Sequence, residues 1–119
     1  QGRCFLRVQR KQDLLDIYHE CVQRGAQQFL KEQGLAASDI RWLLPPQIST
    51  EFVSTAGQRL GFSKDRVVDV SCQDLDLATS ATPLAIQAVQ ADDRLSGGDL
   101  GLIINVGSGV QVACALYQF

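Results

Sequence analysis

The chain has 119 residues, 45% of them hydrophobic and 20% charged, a size and balance that suit one globular domain with a modest core. A net charge of −2 without a Lys/Arg cluster leaves no electrostatic footprint for nucleic acid or a membrane surface. No apolar stretch is long enough to span a bilayer, and no signal-peptide pattern is present.

The predicted elements begin with a short strand at 4–8 (CFLRV). Leu14, Ile17, Tyr18, Cys21, Val22, Gly25 and Phe29 then recur at helical spacing, and Gly34 is placed to cap that helix. A second strand is expected at 39–44 (DIRWLL). It stops at Pro45-Pro46, and Ser49 or Thr50 can cap a second helix with Glu51 in its first turn. Phe52, Val53, Ala56 and Leu60 form the core face of that helix, and Gly61 ends it. RVVDV (66–70) reads as a third strand. A third helix is expected over 77–93, with Pro83 tolerable only near its first turn.

The turn SGGD (96–99) leads into LGLIINV, which is joined to VQVACALYQF through Gly107-Ser108-Gly109, most simply as a hairpin. The order β-α-β-α-β-α-β-β predicts a five-stranded mixed α/β sheet flanked by helices, mainly parallel with one antiparallel strand. The chain lacks methionine and starts Gln1-Gly2, which is read as an excised or processed piece. Cys4, Cys21, Cys72 and Cys114 show no CxxC spacing and read as buried thiols of a reducing, cytoplasmic compartment.

Several stretches carry a resemblance to a known family: DIRWLLPPQ, LGFSKDRVV, SATPLAI, LSGGDLGLIINVGSGV and the terminal ALYQF. In that order and spacing, the chain resembles the C-terminal half of the ketoacyl-acyl-carrier-protein synthase III family, of the thiolase-like superfamily. The resemblance implies a fold of two such halves about a pseudo-dyad, so that residues 1–119 are one domain whose N-terminal partner half is absent. The N-terminal half carries the acyl-accepting cysteine, and the C-terminal half supplies a histidine and an asparagine. The substrates implied are acyl-CoA or acyl-carrier-protein thioesters, with no cofactor. A homodimer and an acyl carrier protein are the implied partners.

The family's histidine motif reads Trp-x-x-Pro-His-Gln-Ala-Asn. Trp42, Pro45 and Gln47 match it, but Pro46 stands at the histidine position and Ile48-Ser49 replace Ala-Asn. The asparagine motif, Gly-Asn-Thr-Ser, falls on Leu75-Asp76-Leu77-Ala78, so Asp76 holds the asparagine position. The family's glycine loop, a possible thioester and oxyanion loop, falls on Gly107, Ser108 and Gly109. Histidine and asparagine donors hold the enolate left by malonyl decarboxylation, and losing one such donor costs about 100- to 1,000-fold in rate. Proline has no donor, and an ionised Asp76 would oppose the developing anion. No catalytic residue is therefore intact, which argues against decarboxylative condensation. Two readings stand: a parent that transfers acyl groups without decarboxylation, and a silent partner subunit or interaction module.

Other candidates have plainer readings. His19, the only histidine, lies inside the first helix as a surface or groove residue. Cys72 precedes Asp76 but has no base nearby in sequence, so it reads as structural. Gly107 and Gly109 could equally be turn glycines. With one histidine and no Cys/His cluster, no metal site is expected.

Overall fold

The computed structural model describes residues 12–71, 80–107 and 109–119. Helix α1 (Gln12–Glu32) buries Val22, Ala26 and Leu30, one residue per turn along a single stripe. It ends where expected. Gly34 takes φ 68°, its N–H donates to the Lys31 carbonyl at 3.1 Å, and the Leu35 N–H reaches the Leu30 carbonyl at 2.9 Å. This paired closure needs a left-handed residue, which glycine supplies at least cost. Helix α2 (Thr50–Arg59) closes the same way through Gly61, turning Phe62 back into the core. At its start the Ser49 hydroxyl accepts the Phe52 N–H at 3.1 Å, as the sequence predicts.

Strands β1 (Trp42–Leu44), β2 (Leu100–Gly107) and β3 (Gln111–Gln118) form a sheet in that order. β1 runs parallel to β2, with Leu44 opposite Ile103, and β3 runs antiparallel to β2 over its whole length. Side chains alternate across the sheet. Leu43, Leu102 and Ile104 face α1 and α2, whereas Trp42, Leu44 and Ile103 face helix α3 (Ala81–Gln90) through Ala85 and Val89. The result is a helix–sheet–helix sandwich with a core on each side of the sheet.

Two expectations need correction. Among the described residues the sheet has three strands, not five. The strand expected at 4–8 lies outside the described residues. The one expected at 66–70 makes a single parallel bridge, Leu43 to Val67, and one backbone bond from the Val68 N–H to the Leu43 carbonyl at 2.8 Å. Residues 64–66 instead form a 3-10 turn, from which the Arg66 guanidinium donates to the carbonyls of Ala37 and Ile40. The third helix is also shorter than expected within the described residues, ending at Gln90, with Pro83 in its first turn. Positions 77–79 of the expected helix lie outside the described residues. The terminal hairpin is present as expected.

Candidate functional site

The carboxyl edge of the parallel pair is where α/β folds place their ligands. β1 runs into Pro45 and Pro46, both buried, and two residues without N–H groups cannot extend the ladder. Ser49 then starts α2, so the first turn of α2 sits directly beyond the end of β1. β2 continues past its last β1 partner, Ile103, to Gly107. α3 is tied to the same edge by the Thr82 hydroxyl, which donates to Asn105 Oδ1 at 3.2 Å. The ends of β1 and β2 and the starts of α2 and α3 therefore lie along one edge.

Gln47 is fully engaged there. Its Nε2 donates to the carbonyls of Pro45 (2.9 Å) and Val68 (3.0 Å), and its Oε1 accepts the Val70 N–H at 2.8 Å. Two acceptors on one side and a donor on the other fix the amide's orientation. Pro46 brings no donor of any kind, so neither residue presents a side-chain donor to a ligand. Asp76, Cys72 and Ser108 lie outside the described residues. Gly107 is exposed at the end of β2. Its φ is not positive, so turn geometry does not account for it. Gly109 does need its freedom, at φ 76°, and is followed by Val110 at φ 54°, a strained value for a β-branched residue.

The sequence reading passed over Asn105 and Thr82. The available signal was one amide interrupting the apolar run of β2, at a position two residues from Ile103 and thus on the α3 side of the sheet. Trp42 matches the family motif yet lies at the opposite edge. Its indole N–H donates to Asp99 Oδ2 at 3.2 Å, with the guanidinium carbons of Arg41 and Arg94 4.4 and 5.2 Å from the ring centroid. Arg94 in turn grips Asp92 at 2.8 Å and holds its carboxyl down to about 2. This cluster fastens the 92–99 turn to the sheet.

His19 is more enclosed than its sequence position suggests. It stacks on Phe52, and its Nδ1 is buried without a hydrogen-bond partner among the described residues. Burial, then the nearby Arg59 charge, lowers its pKa, partly offset by Asp16. Cys21 and Cys114 are free thiols, and burial pushes the Cys114 pKa up, which disfavours a nucleophilic thiolate. Among the described residues no group of three or more His, Cys, Asp or Glu side chains could hold a metal ion, and no helix is long and apolar enough to cross a membrane.

The architecture is α/β and thiolase-like. Residues 30–119 match the family model described as 3-oxoacyl-[acyl-carrier-protein (ACP)] synthase III C terminal, and the chain belongs to that family. Among its relatives, the beta-ketoacyl-[acyl-carrier-protein] synthase III of Thiobacillus denitrificans is 31% identical over 98 residues, covering 82% of this chain and 31% of the relative. The enzyme of the same name from Roseobacter denitrificans is 31% identical over 110 residues, covering 89% of this chain and 32% of the relative. The crystal structure of the Thermus thermophilus synthase III superposes with a TM-score of 0.80 at 21% identity, covering 94% of this chain and 35% of that one. The chain thus spans about a third of the length of the relatives it matches.

Proposed function

We propose that this chain is the C-terminal half of a ketoacyl synthase III-like acyl-thioester transferase of fatty-acid or polyketide-type biosynthesis, in which decarboxylative condensation is lost. The observation that carries this reading is the donor-free end of β1. Pro46, which the motif reading sets against the family's histidine, is buried, and the Gln47 amide is consumed by backbone groups. An enolate formed there would meet no side-chain donor from Pro46 or Gln47. Asp76, read against the family's asparagine, would add an acceptor in place of a donor. Acyl-CoA or acyl-carrier-protein thioesters are the substrates this reading assigns, without a cofactor, and an N-terminal half, an acyl carrier protein and a second copy are the partners. A silent partner subunit is the second reading, favoured by the same internal satisfaction of the loop's polar groups.

The test is turnover. Incubated with an acyl-CoA and malonyl-acyl-carrier protein, the chain should yield no ketoacyl product, and product well above the no-protein control would overturn the proposal. Joined to an N-terminal half, Pro46→His with Asp76→Asn should raise condensation, while acyl transfer without condensation separates the transferase from the silent subunit.

A further inference from the structure

Residues 67–70 lie along the open edge of β1, yet only one backbone bond from Val68 and one bridge at Val67 join them to it. A paired strand would continue that ladder. Here β1 ends at Leu44, because Pro45 and Pro46 have no N–H to donate. The bonds that hold Val68 and Val70 beyond that point come from the side chain of Gln47, which takes the Val68 carbonyl and the Val70 N–H together. A third bond, to the Pro45 carbonyl, ties the same amide to its own loop. One residue further on, Ser71 Oγ lies 3.1 Å from the Thr50 hydroxyl at the start of α2, and the Ser71 N–H donates to Asp69 Oδ1 at 2.9 Å.

We infer that Gln47 is a positioning residue that stands in for a missing stretch of β ladder and fixes residues 68–71 to the Pro45-Pro46 loop. Two loops of the site at the carboxyl edge are thereby held as one unit. The physical reason is accounting. A half-buried carbonyl and N–H at the sheet edge need partners, and a side-chain amide is the one group offering a donor and an acceptor at the spacing of a peptide unit. The inference rests on the proposed location of the site, but not on any activity there, and its readouts need no turnover.

Two variants of the chain test it. Gln47→Met keeps the side chain's length and removes all of its hydrogen bonds. Amide exchange at Val70 should then accelerate at least about tenfold, while Leu102 and Ile104 in the sheet keep their protection. Gln47→Glu retains an acceptor and has a donor only when protonated. Between two carbonyl oxygens its carboxyl should titrate above the ordinary glutamate range, and the variant's stability relative to wild type at the same pH should be greatest at low pH and fall as pH rises through that value. Protonation thus rescues the clamp, an effect that loss of bulk would not produce. Unchanged Val70 exchange in the Met variant would overturn the inference. So would an ordinary glutamate titration, or equal loss of protection at Leu102 and Ile104. If Gln47→Met does not fold, the titration of Gln47→Glu decides alone. Failure of the proposed acyl chemistry would leave both readouts intact.

Discussion

The imidazole of His19 lies flat against the ring of Phe52, with centroids 4.0 Å apart and planes 17° from parallel. The stack joins α1 to the first turn of α2, the element that begins at the candidate site.

This contact predicts a pH dependence. Burial and Arg59 lower the His19 pKa from its ordinary value of 6.5, so the folded state holds its proton less tightly than the unfolded chain does. The stabilisation is complete above 6.5 and is lost as pH falls from there through the folded value. Urea midpoints should fall over that range in the wild type and vary less in His19→Phe, which keeps a ring on Phe52 without a titrating group. Equal slopes in the two proteins would refute the assignment.

Gly57, inside α2, sets two effects against each other. Alanine there would gain about 1 kcal/mol of helix propensity. Its Cβ, however, would lie 2.7 Å from Val67 Cγ2, on a branched side chain that cannot rotate freely away. Overpacking of this kind costs about 1–3 kcal/mol, so Gly57→Ala should destabilise the fold and the added change Val67→Ala should restore it. Thermal melts of the single and double variants check both signs.

Ser49→Ala removes the hydroxyl that accepts the Phe52 N–H and should cost about 1 kcal/mol. Denaturant midpoints measure this, and Ser49→Asp should recover most of the loss. No recovery would mean that the hydroxyl acts by something other than capping.

The second copy proposed as a partner can be tested at α3, where the choice of residue matters. Ala85 is 1% exposed and packs in the core beneath the helix, so a charge there would break the fold itself. Leu84 is 38% exposed on the outer side. Leu84→Glu should reduce self-association in sedimentation equilibrium without lowering stability. A wild type that stays monomeric at high concentration would end the proposal.

Helix ends were the most legible features in the sequence. Gly34, Gly61 and Ser49 each act through local backbone chemistry that a single residue type signals. The hairpin was legible for the same reason. The RVVDV segment was misread because a β-branched run reports only that side chains pack on both sides of an extended backbone. It does not say whether the N–H and C=O groups meet another strand or, as here, the amide of Gln47. The inner and outer faces of α3 were only partly marked, since Gln87 and Gln90 lie on the exposed side but the apolar Leu84 is exposed with them. Asn105 went unnoticed because its contact with Thr82 spans residues far apart in the chain.

The one tryptophan gives the molecule a built-in optical gauge. Trp42 is 2% exposed, faces the α3 side of the sheet, and has its indole N–H held by the Asp99 carboxylate. Its emission should be blue-shifted and should report the melting of that layer alone, whereas the far-ultraviolet dichroism is dominated by the 21-residue α1 on the other side. Superimposable unfolding curves from the two signals would show that both layers melt as one cooperative unit. An earlier fluorescence transition would show that the α3 layer loosens first, leaving the α1–α2 layer as a separately folding half of the sandwich.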